Sequence, residues 1–284
     1  MTRLVLLLIA AGLAFPAAGE YAPAVEEWNQ PVEPFRVIGN VYYVGARNVS
    51  AILITTPEGH ILIDTGFVET VPLIEASVKK LGFRMEDIRI AVASHAHYDH
   101  AGGLAAVKKR TGAAVLMNPG EVEQFARGGK NDFAFGDKVP FPPVVPEGLL
   151  SDGQRIELGG IALTAHFTPG HTKGCTSYSM EVVDGDRSYD LVYACSLTTP
   201  GYQLVDNERY PGIVEDLQAT FGKLRSLPCD VFLAGHGWEF GLPAKREALD
   251  SGAGENPFID PAAYRRFLDR GEAGLEDNLR KQTQ

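Results

Sequence analysis

The chain has 284 residues, of which 45% are hydrophobic and 22% charged, a composition that excludes disorder as the main state. With 26 basic against 36 acidic residues the formal charge is -10, so the surface as a whole has no basic field for a phosphate backbone, and no nucleic acid partner is expected.

Arg3, an almost wholly apolar run over residues 4–15 and then Pro16-Ala17-Ala18-Gly19 make the pattern of a secretory signal peptide. The apolar run is shorter than the roughly 20 residues that a spanning helix needs. Residues 1–19 are therefore expected to be removed before Glu20, leaving residues 20–284 as a single domain outside the cytoplasm. A cut one residue earlier and an uncleaved anchor are the alternatives. Export makes the cysteines matter, because disulfides persist in an oxidising compartment. Only Cys175, Cys195 and Cys229 are present, so at most one internal pair can form.

Val41-Tyr42-Tyr43-Val44, Ala51-Ile52-Leu53-Ile54 and His60-Ile61-Leu62-Ile63 read as successive strands, the last two joined by the turn Thr56-Pro57-Glu58-Gly59. Over residues 68–81, Val71, Ile74, Val78 and Leu81 recur at helical spacing, with Gly82 placed to stop the helix. A strand over 88–93, a helix over 103–109, a strand over 113–117 and a helix over 121–126 continue an α/β rhythm. Residues 128–146 then break into Gly, Pro and Phe with little periodicity, either a lid or binding loop or a disordered stretch. Strands are expected over 155–158, 161–167, 176–182, 191–194 and 231–234, and helices over 213–224 and 262–280. Both halves end strands on histidine-bearing turns, which predicts two sheets face to face with helices outside.

Chemistry concentrates in Ser94-His95-Ala96-His97-Tyr98-Asp99-His100, directly after a strand. The chain has seven histidines, and three of them fall in this short window together with an aspartate. Such a cluster is costly to bury unless something pairs it, and a metal does so. A catalytic zinc takes about three protein ligands plus water, so this turn holds too many for one site and too few for two. His171 in Thr168-Pro169-Gly170-His171-Thr172 and His236 in Ala234-Gly235-His236-Gly237 also sit in glycine-containing turns at strand ends, and they complete two sets of three. A closed structural zinc site is the alternative.

The HxHxDH segment with later GHT and GH turns resembles the metallo-β-lactamase superfamily. Trp28-Asn29-Gln30-Pro31, Asn40-Val41-Tyr42-Tyr43-Val44-Gly45, Ile63-Asp64-Thr65-Gly66 and Ser196-Leu197-Thr198-Thr199-Pro200-Gly201-Tyr202 are similar to the third subclass (B3) of class B β-lactamases. The resemblance implies an α/β fold, an αββα four-layer sandwich of two mixed sheets, with two zinc ions at one edge. One zinc would be held by His95, His97 and His171, and the other by Asp99, His100 and His236. Ser196 stands where many superfamily hydrolases carry a bridging aspartate. The implied activity is hydrolysis of the β-lactam amide by a zinc-bound hydroxide, giving antibiotic resistance. Asp99 would orient the attacking water, Ser196 and Thr198 would bind the substrate carboxylate, and Asp64 would be the acceptor that orients the metal turn.

The same resemblance implies a disulfide between Cys175 and Cys195, with two buried thiols or a zinc-bound Cys195 as alternatives. Cys229 matches a family cysteine whose usual partner near the C-terminus is missing here. His60 and His166, in or beside strands, are expected to be hydrogen-bonded structural residues. The expected partner is a small-molecule β-lactam, with no membrane association once the signal is removed, and the protein is expected to be a periplasmic monomer. Two other readings stay open: a lactonase or thioesterase on the same metal core, and an exported zinc-binding protein without catalysis.

Overall fold

In the computed structural model, residues 22–252 and 254–284 are described; the expected signal segment and its cleavage site lie outside them. One sheet runs in chain order through β1 (Phe35–Ile38), β2 (Val41–Tyr43), β3 (Ile52–Thr56), β4 (Gly59–Ile63), β5 (Ile88–Val92), β6 (Ala114–Met117) and β7 (Gly148–Leu149). The second is ordered β12-β11-β10-β9-β8, formed by β8 (Arg155–Leu158), β9 (Ile161–Phe167), β10 (Thr176–Asp184), β11 (Arg187–Ala194) and β12 (Val231–Ala234). Each sheet is mixed: β1 to β4 pair antiparallel and β4 to β7 parallel, while β8 to β11 pair antiparallel and β11 runs parallel to β12. The helices are α1 (Ala22–Trp28), α2 (Val71–Lys80), α3 (Tyr98–Ala101), α4 (Leu104–Thr111), α5 (Val122–Ala126), α6 (Ile213–Arg225), α7 (Leu242–Ser251) and α8 (Pro261–Gln282). None of the described helices is long and apolar enough to cross a membrane.

Strand periodicity explains the layers. Successive side chains point to opposite faces, so Ile52, Ile54, Ile61 and Ile63 face the second sheet, where Leu163, Ala165, Tyr178 and Met180 meet them. Their neighbours Leu53, Leu62, Ala91 and Val115 pack instead on Ile74, Val78, Leu104 and Val107 of α2 and α4. Both faces of β3 and β4 are thus covered, which is why these strands read as unbroken apolar runs rather than as alternation. Across the second sheet, Phe232 of β12 meets Phe267 of α8 with ring centres 4.8 Å apart. The result is the αββα sandwich.

The periodicity over 68–81 resolves into a short 3-10 turn followed by α2, and Gly82 adopts a φ of +86° and ends it, as expected. Residues 128–146 are ordered by inward contacts: Phe141 N–H donates to the Gly128 carbonyl at 2.8 Å, and Asp132 Oδ1 accepts from the Ala134 and Phe135 amides at 2.8 Å each. Five elements have no counterpart in the sequence reading: α1, β1, α3, β7 and α7. Helix α7 buries only Leu242 and Lys245, so it carries no apolar stripe to find. Strand β11 starts four residues earlier than expected, because Arg187 to Asp190 pair with β10 across a tight turn despite their polarity.

A disulfide joins Cys175 to Cys195, 20 residues apart, with their Cα atoms 6.0 Å from one another. It ties the segment after His171 to the end of β11. Cys229 is a free, half-buried thiol. Replacing both bridged cysteines with alanine is expected to lower the unfolding free energy by about 3 kcal/mol, the chain-entropy value for a loop of this length. Urea unfolding measures it, and a loss below about 1 kcal/mol would mean that the fold does not use the cross-link.

Candidate metal centre

Each chemically notable side chain stands just beyond the end of a strand, all at one edge of the sandwich. Chain leaving β5 carries His95 and His97, and α3 begins at Tyr98, which puts Asp99 and His100 in its first turn. His171 follows β9, Ser196 and Thr198 follow β11, and His236 follows β12. Two glycines allow the turns to close. A side chain on Gly235 would run into the His100 ring, and Gly170, with a φ of +131°, presses its backbone against Leu217.

The six expected ligands come together in two sets. Donor atoms of His95, His97 and His171 lie within 4.8 Å of one another, and so do those of Asp99, His100 and His236. The sets adjoin, since the rings of His95 and His100 are 4.2 Å apart at their centres.

What decides the character of the cluster is the direction of each ring. His171 Nδ1–H donates to the Thr198 carbonyl at 2.6 Å and His236 Nδ1–H to the Asn48 carbonyl at 2.9 Å, which leaves both Nε2 atoms as acceptors facing the cluster. His100 Nδ1 faces Asp64 Oδ2 at 3.1 Å, with Nε2 directed at Asp99 Oδ2 at 3.4 Å. Ser94 Oγ gives its proton to Asp64 Oδ2 at 2.8 Å and so accepts from His95 Nδ1 at 3.0 Å. His95 Nε2 is then buried with no hydrogen-bond partner. His97 is turned the other way: Nδ1 approaches His171 Nε2 at 3.1 Å, and Nε2 faces Asp132 Oδ2 at 3.7 Å, beyond hydrogen-bond range. Outer hydrogen bonds fix four of the five rings, all but His97, and the inner nitrogens converge, the arrangement of histidines that hold a metal.

Asp64 is the hub behind this edge. It is fully buried, holds a left-handed φ of 56°, and accepts from Ser94 N–H and Tyr193 OH at 2.6 Å each, besides Ser94 Oγ and His100. Three other buried acids escaped the sequence reading. Asp132 addresses His97, Glu239 accepts from His236 N–H at 3.2 Å, and Glu121 contacts the turns of both His97 and His171. Spacing gives no sign of them, because acids in a sequence usually mark the solvated surface.

Electrostatics keeps most of the rings neutral. Burial first, and then the neighbouring imidazoles, hold His95 well below the ordinary histidine value; the same causes lower His171 to about 3 and His236 to about 4. His100 goes the other way, since burial pulls it down but Asp99 and Asp64 outweigh that and raise it to about 9. Burial alone would raise Asp99, yet His100, His236 and His97 bring its carboxyl below the usual aspartate range.

The family model of the metallo-beta-lactamase superfamily matches residues 44–236, the span from the residue after β2 to the last of these histidines. The chain belongs to the metallo-β-lactamase superfamily. Among solved structures, a Cronobacter sakazakii metallo-β-lactamase with a HARLDQ motif is 46% identical, covering 92% of this chain and 99% of that one with a TM-score of 0.87. The subclass B3 metallo-β-lactamase BJP-1 of Bradyrhizobium japonicum is 37% identical over 92% of this chain and 98% of that one, with a TM-score of 0.86. The chain resembles subclass B3. A hydroxyacylglutathione hydrolase of Pseudomonas aeruginosa is 34% identical over 96 residues, 34% of this chain and only 28% of that protein. Membership implies metal ions, usually zinc, and a superfamily hydrolase. The residues fit such ions, because buried His95 Nε2 has no hydrogen-bond partner and His97 Nδ1 and His171 Nε2 meet each other at 3.1 Å.

Aromatic side chains wall the superfamily centre on both sides. Trp238 stacks on His236 at 4.2 Å and meets Trp28 edge-on at 5.1 Å. Opposite, Phe135 of the irregular loop lies 5.2 Å from His97, and Tyr202 stacks 5.7 Å from His171. Solvent reaches the cluster through the side chains of His236 and Asp99, which are 12% and 11% exposed. Thr198 is exposed at the rim, whereas Ser196 is buried. A cavity of about 790 Å³ opens from Thr198 and Trp238 towards α8. His166 bonds to Ser179 Oγ at 2.7 Å, as a structural residue would. His60 departs from expectation: its buried Nδ1 has no hydrogen-bond partner, and the ring packs edge-on against Phe83, because the apolar layer under α2 offers none.

Proposed function

We propose that this protein is an exported dizinc β-lactamase that opens the lactam amide of penicillins, cephalosporins and carbapenems and so gives antibiotic resistance. The observation that supports it most is the convergence of ligand atoms in two adjoining sets of three, on a chain matched almost end to end by solved β-lactamases. The Cronobacter sakazakii neighbour is described by HARLDQ where this chain reads His95-Ala96-His97-Tyr98-Asp99-His100, so Arg and Gln there correspond to two imidazoles here. That difference favours full metal occupancy in this chain.

His95, His97 and His171 would hold one zinc, and Asp99, His100 and His236 the other. When bound, such a pair supplies Lewis acidity, polarising a carbonyl and bringing the pKa of water towards about 7. The chain's own part is to orient and exclude. Asp99 meets His100 and His236 through Oδ2, which leaves Oδ1 to orient the attacking water. Thr198 Oγ1 at the rim would hydrogen-bond the substrate carboxylate. Ser196, deeper in, would do so only for a group that enters between Tyr202 and Trp238. Those aromatic walls keep bulk water from the reacting amide.

Metal loading should depend on pH in a site-specific way. His100, raised to about 9 by Asp99 and Asp64 against the pull of burial, is protonated at neutral pH in the metal-free protein and must release that proton to bind. Affinity at the Asp99, His100, His236 set is therefore expected to fall by about tenfold per pH unit as pH drops below about 9. The other set carries His171, already lowered to about 3, and should lose far less between pH 9 and 6. Zinc titration against a competing chelator at pH 6, 7.5 and 9 measures this, and equal slopes would contradict it.

Hydrolysis of imipenem and nitrocefin by zinc-loaded protein, abolished by EDTA and restored by zinc, is the test of the proposed activity. A hydroxyacylglutathione and an acyl-homoserine lactone run in parallel. Rapid cleavage of either with no lactam turnover would turn the assignment to the alternative hydrolases, and zinc uptake with no activity on any of them to a binding protein. Export is proposed from residues 1–19, with a mature chain over residues 20–284; N-terminal sequencing of periplasmic protein should begin at Glu20.

A further inference from the structure

We infer that Glu121 is a positioning residue that clamps the two turns carrying His95, His97 and His171, and so sets the geometry of the three-histidine site. The inference rests on the metal reading above. Glu121 closes a single 3-10 turn, Pro119–Glu121, that follows β6, and it is only 3% exposed. Its two carboxyl oxygens divide between the two turns. Oε2 accepts the Ala96 N–H at 3.2 Å, on the peptide between His95 and His97. Oε1 accepts the Gly174 N–H at 2.9 Å and the Thr172 hydroxyl, both in the turn that begins at His171. No ion pair engages it among the described residues.

The surrounding backbone is built for this reach. A Cβ on Gly120 would meet Gly174 Cα and the Lys173 carbonyl at 2.9 Å, and one on Gly174 would meet the Gly120 carbonyl carbon at 2.8 Å. Only two glycines let the 3-10 turn lie directly on the His171 turn. Asn118, at the start of the turn, adds Nδ2–H to Thr176 Oγ1 at 3.2 Å, and Thr176 N–H donates to the Ser94 carbonyl at 2.8 Å. The three histidines arrive from turns 74 residues apart, and a planar carboxyl group with one oxygen on each turn fixes their separation. A buried acid with so few other partners is a costly choice for mere packing.

The experiment measures zinc affinity of the full-length mature protein by chelator competition and records the visible spectrum of its cobalt(II) form. Glu121→Ala is made in two backgrounds: His236→Ala, which leaves the three-histidine set whole, and His171→Ala, which leaves the Asp99 set whole. In the first, Glu121→Ala should weaken binding by about 10- to 100-fold and alter the cobalt bands; in the second, by less than about threefold. Glu121→Gln, which keeps one acceptor oxygen, and Thr172→Val, which removes one donor at constant shape, should give smaller losses confined to the same background. If Glu121→Ala does not fold by circular dichroism, these two variants carry the measurement. Unchanged affinity and spectra, or equal losses in both backgrounds, would overturn the inference while leaving the metal reading intact. A wild-type protein that takes up no metal would overturn both.

Discussion

His171→Ala is expected to lower kcat/KM for nitrocefin by about a thousandfold or more, equivalent to about 4 kcal/mol of transition-state stabilisation, with the fold retained. The reason lies in how few groups hold the site in register. His171 brings its Nε2 to 3.1 Å from His97 Nδ1 and is fixed from behind by the carbonyl of Thr198, the exposed residue proposed to bind substrate. Alanine removes one of three donors and also releases the Thr198 loop, so binding and turnover should both suffer. Zinc content should fall towards one ion per chain, since Asp99, His100 and His236 do not touch the lost ring through any hydrogen bond. Steady-state kinetics with metal analysis measures both. Activity within tenfold of the wild type would remove the three-histidine site from the mechanism.

Asp64→Ala carries the second large effect, on stability first and on the metal second. The side chain accepts from Ser94 N–H, Ser94 Oγ, Tyr193 OH and His100, and all of these are buried. Alanine would leave each donor in a dry interior with no acceptor, at about 1 to 3 kcal/mol apiece before relaxation. It would also put a residue poorly suited to left-handed backbone at φ 56°. Allowing for relaxation, a loss of about 3 to 5 kcal/mol is expected in urea unfolding of the metal-free protein. Zinc binding should weaken by about 10- to 100-fold, because His95, through Ser94, and His100 both take their orientation from this carboxyl group. A change below 1 kcal/mol would mean that water replaces Asp64, and the hub would then be incidental.

These two residues differ in how plainly the sequence marks them. His171 was legible from a glycine turn at a strand end, and with it the other expected ligands, because a ligand turn keeps its residue types close together. Asp64 was recognised only through resemblance, since an aspartate after a strand reads equally well as an ordinary turn residue. Asp132, Glu121 and Glu239 were not legible at all. The partners of Glu121 lie far along the chain, 25 and 51 residues away for the two turns that it joins, and although Glu239 is only three residues from His236, nothing local distinguishes an acid that turns inwards from one that faces water.

The same division runs through the fold. Sequence by itself determined the α/β rhythm, the continuous apolar strands β3 and β4 and the amphipathic helices α2, α6 and α8, because a repeat of two or of 3.6 residues follows from backbone geometry alone. It also determined which imidazoles could serve as ligands. Only the tertiary structure decided that Arg187 to Asp190 extend a strand, that α7 forms with almost no apolar face, that residues 128–146 are held in place through Asp132, Phe135 and Phe141, and which nitrogen of each ring points inwards. Those outcomes depend on what a neighbouring element offers: an antiparallel partner for polar backbone, a carbonyl or carboxyl group for one side of a ring. Such offers exist only once the two sheets have come together.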